Sequence, residues 1–272
     1  MSILAAEHLS IAFGGVHAVD DVSLGVAPGL VFSIIGPNGA GKTTLFNLIS
    51  GLYLPGQGRV RLAGEDVTRL APEQLARRGL SRTFQNLQIF FRMTALENVM
   101  VGRHRHEATG IFADLLHLPA VARQNRGTRA AAAAALDRVG LAGMAQRPAG
   151  GLSYGGLKRL EIARALASEP KVLLLDEPAA GCNPVETAEL EGIIRGIVRD
   201  GVTVVLVEHD MRLVMNVSDR IHVLANGRTL AEGSAAEVRA NPAVVEAYLG
   251  VGAFSGEVGT GSPQKMRQGN EN

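Results

Sequence analysis

Short runs of aliphatic and β-branched residues alternate with amphipathic stretches along most of this chain. Leu9 to Phe13, Val16 to Leu24 and Leu30 to Ile35 read as extended, punctuated by Gly14-Gly15 and Pro28-Gly29. Gly36 to Gly41 is a glycine-rich loop, and Lys42 to Ser50 then has helical spacing, with Leu45, Leu48 and Ile49 on one face. Gly58 to Leu62 and Leu80 to Phe84 read as extended again. A short helix at Pro72 to Arg78 lies between them, its proline suited to a first helical turn. From Met93 to Leu141 the sequence becomes rich in Ala, Arg and Leu and favours helix, most of all at Ala130 to Ala135. Thr109 to Pro119 interrupts that stretch and reads as an inserted loop or short helix. Beyond it come a helix from Gly156 to Ala167, the strand Val172 to Leu175, and a helix from Pro184 to Arg199. The strands Val202 to Val207 and Arg220 to Leu224 complete the pattern, the latter turning at Asn226-Gly227.

Strands that alternate with helices imply an α/β fold with a mostly parallel core sheet covered on both faces. The length, 272 residues, suits one large domain or two small ones. Apolar residues make up 46% and aromatics only 4%, so the core is expected to be Ala, Val, Leu and Ile. With 27 basic and 26 acidic side chains the net charge is +1, which argues against a nucleic-acid binder and its strong positive field. The single cysteine, Cys182, excludes a disulfide scaffold and a multi-cysteine metal site. The longest uncharged run, Val22 to Gly41, carries five Gly and two Pro and does not read as a membrane span. Met1 to Ala6 meets Glu7 and His8 too soon to form a signal-peptide core. The expectation is a cytosolic protein whose membrane connection runs through partners. The segment 251–272, rich in Gly, Ser, Gln and Asn, reads as a disordered tail.

Three places carry chemistry. Gly36-Pro37-Asn38-Gly39-Ala40-Gly41-Lys42-Thr43 fits G-x-x-x-x-G-K-[ST] between a predicted strand and a predicted helix. Its glycines let backbone amides face inward around phosphate oxygens, and the helix start adds positive potential. Lys42 supplies a full charge and Thr43 a hydroxyl for Mg²⁺. Asp176 and Glu177 follow the apolar run from Val172, at the strand end where open α/β sheets bind ligands. Asp176 suits Mg²⁺, and Glu177 suits a base that orients or deprotonates water. His209 follows another buried-type strand and could bond a γ-phosphate; Gln85 could contact Mg²⁺ or the lytic water. Taken one at a time, a surface histidine or an ordinary glutamine explains these last two equally well.

Together these segments resemble the nucleotide-binding subunit of ATP-binding cassette (ABC) transporters over about residues 3–250. The residues are Gly36 to Thr44 (Walker A), Gln85 (Q-loop), Leu152-Ser153-Tyr154-Gly155-Gly156 (signature), Val172 to Glu177 (Walker B), Asn183 (D-loop) and His209 (switch). The signature separates this family from kinases and GTPases. Within the family the chain is similar to the LivG-type ATPases of branched-chain amino acid importers. That similarity rests on Phe13-Gly14-Gly15-Val16, Arg82-Thr83-Phe84-Gln85, Asp176 to Pro184, Glu208-His209-Asp210-Met211 and Ala247-Tyr248-Leu249-Gly250. Two departures from the usual Leu-Ser-Gly-Gly-Gln signature stand out: Tyr154 at its first glycine and Gly156 at its glutamine.

The resemblance implies a P-loop ATPase with an N-terminal antiparallel β subdomain and a helical subdomain inserted at about residues 86–165, all within a domain spanning 1–250. It implies ATP held by Gly36, Pro37, Asn38, Gly39, Ala40, Gly41, Lys42, Thr43 and Thr44, with Phe13 against adenine. Mg²⁺ falls to Thr43, Gln85 and Asp176, and catalysis to Glu177, His209 and Gln85. Ser153 and the Gly155 amide would cap the γ-phosphate held by a second ATPase, identical or different. Two integral-membrane permeases and, indirectly, a periplasmic or extracellular binding protein complete the set, with this subunit peripheral at the cytoplasmic face. Ile89, Phe90, Phe91 and Met93, just after Gln85, could present a groove to a permease helix. Other cargoes (urea, amides), lipopolysaccharide-type export and a soluble non-transport ATPase are the competing readings.

Overall fold

The computed structural model describes residues 2–83, 87–104 and 119–249, with the side chains of 119–123 and 249 left aside. Its centre is a six-stranded sheet in the order β10-β9-β3-β8-β7-β6. Strands β3 (Val31–Ile35), β6 (Leu80–Arg82), β7 (Val172–Asp176), β8 (Thr203–Val207) and β9 (Arg220–Ala225) run parallel. β10 (Arg228–Gly233) is antiparallel at the edge. A second, antiparallel sheet has the order β2-β1-β4-β5, from β1 (Leu4–Phe13), β2 (Val16–Val26), β4 (Gln57–Leu62) and β5 (Glu65–Asp66).

The central strands are apolar on both faces, and their side chains divide by the twofold alternation of a strand. Val31, Leu173, Leu175, Val204 and Leu206 pack towards helices α5 (Tyr154–Leu166) and α6 (Pro184–Arg199). Phe32, Ile34, Leu174, Val205 and Val207 pack towards α1 (Lys42–Ile49) and the antiparallel sheet. Helices α3 (Ala95–Val101) and α4 (Pro119–Arg138) join the first of these cores, and α2 (Pro72–Arg78) supplies Leu75 to the second. A third cluster gathers α7 (Met211–Val217), α8 (Ala235–Ala240) and α9 (Pro242–Leu249) against β9. Among the described residues no helix is long and apolar enough to cross a membrane.

The α/β class, the mostly parallel sheet and the antiparallel N-terminal sheet agree with the sequence reading. Several boundaries differ for physical reasons. β1 begins at Leu4 rather than Leu9. His8 adopts φ +53° and the pairing register slips between Ala6 and Leu9, so a bulge hides the first half of the strand from a simple alternation test. β10 was not expected, because its sequence is polar and it lies at an edge. α5 begins at Tyr154 rather than Gly156, since Ser153 caps it by accepting the Gly156 amide at 3.1 Å. The strand expected from Val202 starts at Thr203. Most of the interruption read at Thr109 to Pro119, and the tail 251–272, lie outside the described residues.

Candidate functional site

Parallel pairing brings the chemistry to one end of the sheet. Ile34 of β3 and Asp176 of β7 both pair with Val207 of β8, so the chain leaves three neighbouring strands at the same level. After β3 comes the loop 36–41, which two glycines make possible. A Cβ on Gly36 (φ +154°) would lie 2.2 Å from the Leu224 carbonyl oxygen, and one on Gly41 (φ +97°) 2.3 Å from that of Ala18. Asn38, Gly39 and Thr43 are exposed, Thr44 is half-buried, and the first turn of α1 contains no acidic residue to neutralise its positive end.

Lys42 is 9% exposed, and its ammonium donates to the carbonyls of Gly36 at 2.7 Å and Pro37 at 3.0 Å. The charge is thereby held inside the curve of the loop. Burial lowers its pKa, and the Glu177 carboxylate opposes that shift. From the far side, the phenol of buried Tyr248 on α9 hydrogen-bonds the Gly36 backbone, and burial pushes that phenol up to about 12.

Asp176 is 4% exposed at the end of β7. Arg82, at the end of β6, donates to Asp176 Oδ2 at 2.7 Å, to Asn47 Oδ1 at 2.7 Å and to Ser50 Oγ at 2.6 Å. Its guanidinium also lies over the Phe46 ring, 4.9 Å from the centroid. Asp176 N donates to Thr83 Oγ1 at 3.2 Å. Glu177 leaves the strand in a left-handed conformation (φ +46°), its amide donating to the Val207 carbonyl. Its Oε1 stands 3.9 Å from His209 Nδ1, so the two groups face the same space without a direct hydrogen bond.

Glu208 has no exposed side-chain surface. Its carboxylate accepts the amides of Ala179 (2.8 Å), His209 (2.9 Å) and Asp210 (3.2 Å), which ties the segment after Glu177 to the segment carrying His209. Sequence reasoning named Arg82 and Glu208 only within family-like stretches and assigned neither a role. The available signal was a charged residue at, or just after, the last position of a strand.

Gln85 lies outside the described residues. Phe13 is 48% exposed and meets Tyr53 edge to face, centroids 5.5 Å apart. Ser153 and Gly155 are not gathered with the loop, Asp176 and His209: their hydrogen bonds run to Gly156 and to α6. The expected apolar cluster after Gln85 divides. Ile89 is buried and Phe90 lines a groove of about 550 Å³ with Leu52, Leu87 and Val101. Phe91 is exposed as well but does not line that groove. Asn98, buried on α3, sets this loop by bonding the amide and carbonyl of Phe90 and the carbonyl of Thr94.

As to magnesium, no group of three or more His, Cys, Asp or Glu that could by itself hold a metal ion exists among the described residues. A cation site made of one hydroxyl, one carboxylate and substrate phosphates needs no such group, since Mg²⁺ retains much of its water. Thr43 and Asp176 fit such a role.

The family model described as ABC transporter matches residues 19–180, and a second, described as Branched-chain amino acid ATP-binding cassette transporter, matches residues 228–253. The chain belongs to the ABC transporter family. It is 48% identical to the high-affinity branched-chain amino acid transport ATP-binding protein BraF of Pseudomonas aeruginosa, over 91% of this chain and 98% of that one. To the corresponding protein LivG of Escherichia coli K12 it is 45% identical over the same shares. Among solved structures, the ADP conformation of the ATP-binding cassette MJ1267 superposes with a TM-score of 0.80 at 34% identity, covering 92% of this chain and 99% of that one. A nucleotide-free cassette from an ABC transporter gives 0.79 at 34% identity, covering 91% and 99%. The chain is thus a nucleotide-binding ATPase of the ABC type, with permeases as its expected class of partner. The Tyr154 departure has a structural counterpart: a Cβ on Gly181, in the loop before α6, would lie 2.8 Å from the Tyr154 ring. Tyrosine in the signature and glycine in that loop fit each other.

Proposed function

We propose that this chain is the ATP-hydrolysing subunit of an importer of branched-chain, hydrophobic amino acids, bound peripherally to the cytoplasmic face of two permeases. The observation that carries the chemistry is the common level of β3, β7 and β8, with Glu177 3.9 Å from His209 and its carboxylate acting on the Lys42 ammonium. The cargo rests on the 45–48% identity to branched-chain transport ATPases together with the matched segment 228–253.

The loop amides of residues 36–43 and Lys42 hold the triphosphate, while Phe13, beside Tyr53, offers its face to adenine. Thr43 and Asp176, together with Gln85, would hold Mg²⁺, which when bound neutralises charge on the β- and γ-phosphates. Glu177 orients a water for in-line attack on the γ-phosphorus and takes its proton. The bond to the bridging oxygen breaks, leaving ADP and inorganic phosphate. His209 donates to a γ-phosphate oxygen. Buried Glu208 fixes His209 relative to Glu177, so both respond as one unit. Ser153 and Gly155 cap the triphosphate of a second ATPase, whose own cap closes over this one. The groove beside Phe90 receives a permease helix, which lets closure and reopening of the ATPases move the membrane subunits.

In the complex purified from its membrane, Lys42→Ala should abolish ATP retention. Glu177→Gln should retain ATP while turnover falls by about a hundredfold or more. In cells, labelled leucine uptake should fall with turnover in both variants. Undiminished leucine uptake alongside lost hydrolysis would overturn the cargo assignment.

A further inference from the structure

The start of α5 is occupied by a side chain of the same molecule. Glu186, in the first turn of α6, accepts the Gly155 amide on Oε1 at 3.2 Å and the Ser153 hydroxyl on the same oxygen at 3.3 Å. Its other oxygen accepts the Asn183 amide at 3.1 Å, and Asn183 Oδ1 in turn accepts the amides of Val185 and Glu186. One carboxylate therefore closes the capping box of α6 and spans to the neighbouring helix. Space for it exists only because residue 155 is glycine. A Cβ there would lie 2.5 Å from both Cδ and Oε1 of Glu186. α5 has no acidic residue in its own first turn, so the negative charge at its positive end comes from Glu186.

A negative oxygen held by a helix-start amide and a serine hydroxyl is the arrangement a phosphate oxygen adopts. We propose that Glu186 is a built-in phosphate mimic. In the single subunit it fills the Ser153–Gly155 anion site, and it must swing away before the γ-phosphate of ATP on a second ATPase can enter. It thereby sets the ATP concentration at which the two ATPases close. The inference rests on reading Ser153 and Gly155 as the cap for a partner's triphosphate. Two negative groups cannot share those donors, so each molecule's closure includes the loss of the two Glu186 contacts. Departure of the carboxylate also removes one tie between α5 and the start of α6, immediately after Asn183, leaving the Arg159–Glu189 ion pair one turn further on, and so links the signature to the D-loop region within one chain.

The test uses the complex purified from its membrane, carrying Glu177→Gln so that closed ATPases retain labelled ATP. Glu186→Gln keeps an amide oxygen for the α6 cap but removes the charge, and Glu186→Ala removes the whole contact. Both should lower the half-saturating ATP concentration for retention by about threefold or more, while ATP affinity of the isolated subunit stays unchanged. An unchanged or raised half-saturation in both variants overturns the proposal. Ser153→Arg separates the two levels of the argument. If it abolishes retention while the Glu186 variants behave as wild type, only the role of Glu186 falls. If it has no effect, the capping role of Ser153 falls first.

Discussion

At the scale of single residues, Arg82 is the side chain on which Asp176 depends. The ion pair is nearly dry, with 10% and 4% of the two side chains exposed. Breaking a buried pair by removing one member leaves the other charge without compensation, at a cost of about 3–5 kcal/mol. Arg82→Ala should therefore lower the thermal midpoint by several degrees and reduce kcat more than it raises KM for ATP. Arg82→Lys should recover only part of each, because a point ammonium cannot serve Asp176, Asn47 and Ser50 at once. A wild-type midpoint for the alanine variant would show that Asp176 needs no such support. Lys42 and Asp176 were legible in the sequence because each belongs to a local pattern of fixed spacing, whereas His209 stood out only through the family resemblance. Arg82 and Glu208 were not, since their partners are distant in sequence: Asp176 is 94 positions from Arg82, and Ala179 is 29 from Glu208.

At the scale of elements, the β9–β10 hairpin shows how an unpromising polar strand is held. His222, fully buried, contacts Glu232 Oε2 at 3.0 Å through Nδ1 and Thr229 Oγ1 at 3.2 Å through Nε2. An ionised carboxylate only accepts, so Nδ1 carries the proton. This bond, with Arg220 adding its own, holds the Glu232 carboxyl below its ordinary 4.5. A depressed carboxyl stabilises the fold above its unfolded-state pKa and loses that contribution as pH falls through its folded value. Glu232→Gln should cost about 1 kcal/mol at neutral pH. In chemical denaturation that difference should stay constant from pH 7 down to about 5 and shrink below about 4.5. A difference that persisted undiminished at pH 3 would assign the effect to packing. The hairpin was half legible: Asn226-Gly227 marks its turn, but β10 has no apolar alternation to announce it.

At the scale of the whole molecule, the groove beside Phe90 is assembled from segments far apart in the chain, including Leu52, Leu87, Phe90 and Val101. Phe90 remains 50% exposed because buried Asn98 holds its backbone in place. A charge there meets solvent in the free subunit and an apolar helix in the assembly. Phe90→Asp should leave the melting temperature and ATP binding nearly unchanged but abolish co-purification with the permeases; Phe91→Asp should do so less. Equal recovery of permeases with both variants and wild type would remove the groove as the docking surface.

Spacing along the chain was sufficient for the phosphate loop, the acid pair after β7 and the alternation of strand and helix, because these depend on residues within one turn or one strand of each other. Register between strands, by contrast, decided that the segments carrying Lys42, Asp176 and His209 leave the sheet at one end. Side-chain packing decided which aromatic faces the groove, and a carboxylate from α6 decided what covers the start of α5. Such contacts join positions tens of residues apart, and no local preference for helix or strand encodes which distant partner a polar group will find.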